Sequence, residues 1–409
     1  MTDQDKRKSS MTVLLACVGF NLTIQVLYVW SLVQRQMEYQ WNWTAAQSGL
    51  PYTLCIIFFS TGVLIGGRIQ DKIGPRWVAT AGGILVGLGL LLSGLIGNSP
   101  VGIAICFGII TGLGIGFGYG SVLPAGLKWF HPSKKGLISG LVLGGFGLAS
   151  VHYAFITDSF LANHGIENTL LFLGIGVIII SALIAQLVKN PPAGYVPLAP
   201  EKLSKSTAKV PVDFIWKEML RTKRFYIMFF LFLFSASMGL MMLGNVATIV
   251  DLQAGIQQAA FLISLTAIMN ALGRVIFGMA SDKYGRANTL FVIIILQLLN
   301  LIGFIYYNNL PTLTFGFILV GLCFGGFLAI FPATTADQFG LKNYGLNYGI
   351  MYLAYGLAGV VAPTIASILR DATGNFVLTY IICASIMVVM IVVNIMLKKE
   401  LATPAQKKA

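Results

Sequence analysis

The chain has 409 residues, 56% of them hydrophobic and 10% charged, with a formal net charge of +13. A soluble domain carries roughly 25% charged residues, so this composition excludes a protein that meets only water. A basic surplus of this size suits nucleic acid in a soluble protein, but no nucleic-acid partner is expected here, because the surplus follows membrane orientation. Bilayer hydrocarbon is about 30 Å thick and a helix rises about 1.5 Å per residue, so one crossing takes roughly 20 apolar residues.

Apolar runs of that size are expected near residues 11–33, 47–67, 77–97, 101–127, 137–160 and 169–188 (spans 1 to 6). After a polar interval they resume near 225–249, 258–280, 288–307, 312–335, 346–369 and 376–397 (spans 7 to 12). These runs do not alternate apolar and polar residues as barrel strands do, and helices satisfy their own backbone groups in lipid. The expected fold is an all-α polytopic membrane protein, twelve transmembrane helices in two pseudo-symmetric six-helix bundles. Lys6, Arg7 and Lys8 lead into the first run without a small-residue cleavage site, so that run is expected to remain as a signal anchor.

The polar interval runs from Lys189 to Arg224 and holds Pro191, Pro192, Pro197, Pro200 and Pro211. Asp213 is expected to cap a short amphipathic helix to Arg221, with Phe214, Trp216 and Leu220 on the membrane surface. This divides the chain into an N-terminal bundle (1–188), a cytoplasmic linker (189–224) and a C-terminal bundle (225–409). With both ends on one side, the termini and the loops after even-numbered spans hold 24 of the 27 Lys and Arg residues. Such asymmetry places both termini in the cytoplasm and the protein in the cell's inner (plasma) membrane. Cys17, Cys55, Cys106, Cys323 and Cys383 all fall within spans and form no CxxC pair, so neither zinc nor a disulfide framework is indicated. No metal or organic cofactor and no enzymatic activity are expected, since no nucleophilic triad or metal cluster is present.

An internal repeat supports the halving. Gly67 to Arg76 reads GRIQDKIGPR after span 2, and Gly278 to Arg286 reads GMASDKYGR after span 8; the two aspartates stand 211 residues apart. Repeated halves are common in transporters. The doubled Gly-x-x-x-Asp-Lys-x-Gly loop resembles the signature of the major facilitator superfamily. That resemblance implies a conformational latch formed by Asp71 with Arg76 and by Asp282 with Arg286, the aspartates capping neighbouring helix ends. Three further stretches resemble the superfamily's monocarboxylate transporter and oxalate:formate antiporter branch: WFHPSKKGLISGLVLGGFGLAS (Trp129 to Ser150), KEMLRTKRFY (Lys217 to Tyr226) and ADQFGLKNYGLNYG from Ala336. The Asp-Gly-rich start of span 1 in animal monocarboxylate transporters is absent, with Phe20, Asn21 and Leu22 in its place, which points to a bacterial or archaeal member.

An ionisable group at bilayer depth is costly and marks function by default. Asp158, Asp251, Arg370 and Asp371 fall near span ends, leaving Arg274 in span 8 and His152 in span 5 as the deep candidates. A guanidinium matches a carboxylate bidentately, and inserting one at the bilayer centre costs about 2.5–3.5 kcal/mol. No Asp or Glu is predicted at its depth, so an arriving anion is expected as counterion, with an attraction of about 4 kcal/mol at about 4 Å and an effective dielectric near 20. Asn270 lies one turn earlier on the same face and is expected to orient the substrate. The resemblance agrees, since an Arg at this place binds the substrate carboxylate in the branch.

The resemblance further implies that oxalate carriers use a second cation, a Lys in span 11, where this chain has Tyr355. One positive charge favours a monocarboxylate such as L-lactate or pyruvate. Tyr355 then either hydrogen-bonds a substrate oxygen or packs. The branch's proton-coupled members pair an Asp with the span 8 Arg where Asn270 stands here, so proton uptake would move to His152, which titrates in the physiological range; a purely structural histidine is the alternative. Tyr119, among the packing glycines Gly112, Gly116 and Gly120, is expected to present its hydroxyl to the substrate. Tyr28, Gln25 and Phe331 are further expected liners. The expected activity is proton-coupled symport of a small monocarboxylate by alternating access, with carboxylate exchange and a transport-dead nutrient sensor as rivals; short tails count against the sensor. The expected partners are the anion, the proton and the lipid bilayer.

Overall fold

The computed structural model describes residues 2–198, 213–256 and 260–402. Among them are fifteen α-helices and no strand. They are α1 (Asp3–Ile24), α2 (Trp30–Trp41), α3 (Ala45–Ile73), α4 (Pro75–Ile96), α5 (Pro100–Ile103), α6 (Gly112–Lys128), α7 (Lys135–Ala185) and α8 (Trp216–Leu220). Then come α9 (Lys223–Gly244), α10 (Val246–Ala254), α11 (Ala260–Tyr284), α12 (Arg286–Phe304), α13 (Leu310–Phe339), α14 (Tyr344–Thr373) and α15 (Val377–Ala402). A π-helical stretch, Ala104–Thr111, joins α5 to α6 into one crossing.

Ten helical segments among the described residues are long and apolar enough to cross a bilayer. One of them, Pro132–Ala185, contains two expected spans. Gly165 separates them, its φ of 74° breaking helical geometry inside α7 in a region open to glycine. The first expected span needs α1 and α2 together. The uncharged part of α1 stops at Ile24, a 3-10 turn follows at Val26–Val29, and α2 starts at Trp30. Neither piece alone supplies the roughly 20 apolar residues of a crossing.

The interval between the bundles differs from expectation. Of the linker, residues 199–212 lie outside the described residues. Ile215, not Asp213, is the N-cap of α8, because the Glu218 carboxylate reaches back to accept from the Ile215 N–H at 2.8 Å. Phe214 is buried against the Phe339 ring and its N–H donates to the Phe339 carbonyl, so it is not a membrane-surface residue. Trp216 is exposed.

The described residues group into two units. The first comprises Met1–Pro132, Gly145–Val210 and Leu341–Gly356. The second comprises Ser133–Gly144, Pro211–Gly340 and Leu357–Ala409. Relative to the sequence halves, the start of α7 and the first half of α14 are exchanged. Close helix contact explains both exchanges. In the first unit a Cβ on Gly67 of α3 would overlap the Gly345 carbonyl of α14. In the second a Cβ on Gly278 of α11 would overlap the Gly136 carbonyl of α7. Small residues permit such approach, and in lipid close packing is a main driving force for helix association.

The same constraint acts inside the first unit, where Gly87 of α4 and Gly174 of α7 meet backbone to backbone. Gly87→Val and Gly174→Val are each expected to destabilise the purified protein by about 1–3 kcal/mol through overpacking. Gly176→Ala, with open space around it inside α7, should hold or raise the thermal midpoint. Thermal unfolding in detergent reads both.

Candidate functional site

The second unit holds Arg274. It lies in α11, only 2% exposed. Its Nε donates to Asn270 Oδ1 at 2.9 Å, one turn earlier, and Nη1 donates to the Leu143 carbonyl of α7 at 2.6 Å. Gly140 of α7 sits against the Arg274 backbone, which brings the Leu143 carbonyl within reach. On another side, Gly325 of α13 lies against the Asn270 carbonyl. Small residues on two helices therefore fix where the guanidinium points. Both of these acceptors are neutral.

In the first unit the structure gathers Tyr119 and Tyr355 into one aromatic cluster. Tyr119 of α6 is buried, with ring centroids 5.4 Å from Phe59, 5.3 Å from Phe146 and 5.0 Å from Tyr352. Its hydroxyl lies 3.4 Å from that of Tyr348. Tyr355 stacks on Tyr352 at 5.0 Å. Sequence reasoning missed Tyr348 and Tyr352. Their signal was the spacing of Tyr344, Tyr348, Tyr352 and Tyr355, which repeats on one face of a helix.

His152 of α7 is half-buried, its ring 4.4 Å from that of Tyr153. Tyr28 falls in the turn Val26–Val29, and its side chain lies outside what is described. Phe331 is buried and stacks on Phe232 at 4.7 Å. Thus Arg274 and Asn270 belong to one unit, and Tyr119, Tyr355 and His152 to the other.

The doubled loop is built alike in both units. Asp71 at the end of α3 accepts from the N–H groups of Gly345 and Leu346, in the first turn of α14, at 3.1 and 3.0 Å. Asp282 at the end of α11 accepts from Gly136 and Leu137, in the first turn of α7, at 2.8 Å each. A carboxylate is favoured there because a helix start carries unsatisfied donors and the positive end of the helix dipole. The motif's first glycine lets the two helices cross, and the aspartate one turn later reaches the partner's start. Its last glycine, Gly74 or Gly285, adopts φ 89° and turns the chain into the next helix.

The basic partners differ between the copies. Arg286 bonds Asp282 at 2.7 Å and Asp337 at 2.9 Å, and the buried Lys135 pairs with Asp337 at 3.0 Å. Arg76 does not take the expected place beside Asp71. Its Nε donates to Gln186 at 2.7 Å, while Asp71 accepts from the Gln70 amide at 2.6 Å. Arg76 follows the turn at Gly74 and faces the end of α7, which carries it away from the carboxylate. Lys135 and Asp337 were not singled out from sequence. The parallel between KGLISG at 135–140 and YGLNYG at 344–349 marks both capped helix starts; Asp337 lies outside both stretches.

Removing either cap should loosen the helix start it holds. Losing an N-cap acceptor costs about 0.5–2 kcal/mol. Asp282→Ala is therefore expected to speed amide hydrogen exchange at Gly136 and Leu137 by roughly 2- to 30-fold. Asp71→Ala should act likewise at Gly345 and Leu346, with each variant leaving the other start protected.

Comparison with known proteins gives a consistent family. The profile described as Major Facilitator Superfamily matches residues 11–307 and 233–409. The uncharacterized MFS-type transporter YhjX of Escherichia coli is 28% identical over 366 residues, 88% of each chain. The oxalate:formate antiporter of Oxalobacter formigenes is 27% identical, covering 86% of this chain and 81% of its own. Monocarboxylate transporter 12 of Rattus norvegicus is 23% identical, covering 79% and 72%. Among solved structures, the transporter FucP in its outward conformation superposes with a TM-score of 0.72 over 95% of this chain and 99% of that one. The human organic anion transporter MFSD10 does so with the same score and coverage. At 13% identity each, these two likenesses concern the fold.

Proposed function

Because this chain belongs to the Major Facilitator Superfamily, we propose that it is a multi-pass carrier moving a small monocarboxylate, L-lactate or pyruvate, with a proton by alternating access. The observation that carries this reading is the buried guanidinium of Arg274, held at span depth by the neutral oxygens of Asn270 and Leu143. These two oxygens orient the group. A charge in low dielectric attracts an anion far more strongly than in water, and a fixed guanidinium suits a carboxylate. The names of the oxalate:formate antiporter and monocarboxylate transporter 12 among its relatives support a carboxylate.

In this reading Arg274 binds the carboxylate and Asn270 holds the guanidinium at the angle that receives it. Tyr119, Tyr355 and Tyr28 contribute to the substrate's surroundings. His152 takes the proton. The empty site carries one positive charge from Arg274, and with an anion and a proton on His152 it carries the same, so symport is electroneutral. The caps by Asp71 and Asp282, with Arg286, act as latches that release during the cycle. The bundles are 1–188 and 225–409, joined through 189–224. The distribution of 24 of 27 basic residues supports cytoplasmic termini in an inner membrane.

Uptake of radiolabelled L-lactate and pyruvate into proteoliposomes tests this. Arg274→Ala should reduce uptake to background, and Arg274→Lys should fall at least about tenfold by losing the bidentate fork. Undiminished uptake in Arg274→Ala would overturn the carboxylate assignment. For the proton, uptake should rise as the outside is acidified. His152→Gln should lose that rise while keeping exchange at equal pH; a rise that persists would remove His152 from the role.

A second reading, obligate exchange, is favoured by one observation, the antiporter named among the relatives at 27% identity. Empty liposomes under an inward proton gradient separate the two. A symporter accumulates substrate, and an obligate exchanger takes up none without internal anion.

A further inference from the structure

The stretch KEMLRTKRFY (Lys217 to Tyr226) has no part in the surroundings of Arg274. It covers most of α8 and the first turn of α9, all in the second unit, and it has two faces. Inward, Met219 and Phe225 are buried, and the buried Arg224 donates from Nη1 to Gln338 Oε1 of α13 at 2.7 Å. Phe214, just ahead of α8, is held by Phe339. Outward, Lys217, Arg221, Lys223 and Tyr226 are exposed, together with Ile215 and Trp216.

This outward face stands where a crossing begins. Lys223 is the first residue of α9, which is long and apolar enough to span a bilayer. Lys223 Nζ lies 4.0 Å from Glu400, which brings the end of α15, another such helix, beside the start of α9. The last turn there exposes Lys398 and Lys399. The neighbouring acids do not balance these cations. Glu218 turns back to cap α8, Asp213 lies against Gly340 just past α13, and Glu400 takes Lys223. An aromatic ridge continues along α9. Tyr226 and Phe230 are 50% and 48% exposed, and Phe230 stacks on Phe234 with ring centroids 6.4 Å apart. Residues four apart share a helix face, so the three form one outward row below the basic cluster.

We infer that this surface binds an acidic phospholipid, its phosphate on Lys217, Arg221 and Lys223 and an acyl chain along Tyr226, Phe230 and Phe234. Charge complementarity chooses the headgroup, since basic residues at the membrane surface attract anionic lipid and arginine matches a phosphate bidentately. Long basic side chains lay their stems on apolar surface and keep the charge at headgroup level. Lys217 does so over Trp216, its Nζ 5.6 Å from the ring centroid, and Trp and Tyr favour that same level. The aromatic row chooses a lipid over a soluble anion, which has no use for it. Because the inward face ties the same stretch to α13, a lipid held outside braces the start of α9 from both sides.

Native mass spectrometry of the full-length protein in detergent, titrated with phosphatidylglycerol or with phosphatidylcholine of the same acyl chains, tests this. The first phosphatidylglycerol should bind wild type at least about tenfold more tightly than the first phosphatidylcholine. Each basic residue contributes roughly fivefold, so Lys217→Gln/Arg221→Gln/Lys223→Gln should lose that preference. Lys6→Gln/Arg7→Gln/Lys8→Gln, which removes the same charge at the start of α1, should keep it. A preference that survives the first variant, or falls equally in both, overturns the inference. Added phosphatidylglycerol should raise the thermal midpoint of wild type and of the α1 variant and leave that of the first variant in place; an equal rise in all three overturns it. Tyr226→Ala/Phe230→Ala should weaken the first phosphatidylglycerol severalfold, and unchanged binding overturns the placement of the acyl chain. Inorganic phosphate in large excess should not displace the lipid, and displacement shows a soluble-anion site instead.

Discussion

The guanidinium of Arg274 sits in a helix whose other business is to be apolar, and that placement constrains everything packed around it. A charge at such depth is tolerated only if its donors meet oxygens. Two of those oxygens come from Asn270, one turn along the same helix, and from the Leu143 carbonyl of α7. The second is reachable because Gly140 lets α7 lie directly on the Arg274 backbone. Gly321 and Gly325 let α13 lie as closely on the turn that carries Asn270. Glycine in a helix interior lowers helix propensity by about 1 kcal/mol relative to alanine, and here the loss is offset by contacts that a Cβ would forbid.

The two aspartate caps solve a related problem at the helix ends. A helix start exposes N–H groups that need acceptors, and a neighbouring carboxylate supplies two at once. Such a hydrogen bond to a charged acceptor is stronger than one between neutral groups. The copies are not equivalent. Asp282 belongs to a network with Arg286, Asp337 and the buried Lys135, whereas Asp71 takes its side-chain bond from the neutral Gln70. The more heavily charged copy carries the larger electrostatic cost of separation.

Much of this architecture was legible because lipid makes few demands and makes them everywhere. Long apolar runs announced helices, and the repeated loop announced two related parts. What escaped were features set by packing rather than by composition. The break at Gln25 leaves no gap in the hydrophobic pattern of span 1. The diversion of Arg76 to Gln186 depends on how the chain turns at Gly74. The burial of Phe214 depends on Phe339, distant in sequence. Arg274 and Asn270 were readable as a pair because four-residue spacing alone puts them together. The Leu143 carbonyl that completes the arrangement has no sequence signature, since any residue could provide it. Tyr348 and Tyr352 were readable in principle from their helical spacing with Tyr344 and Tyr355.

The account depends on charge, not merely on hydrogen bonding, at position 274. Arg274→Gln separates the two in part, because its amide keeps a donor where the guanidinium Nε stood and removes the positive charge. Direct binding of radiolabelled L-lactate and pyruvate to purified protein, without any transport step, is the most direct measurement. Saturable binding to wild type that is lost in Arg274→Gln, while the variant keeps its thermal midpoint, is the result expected. Binding of equal affinity in the variant would contradict the central claim.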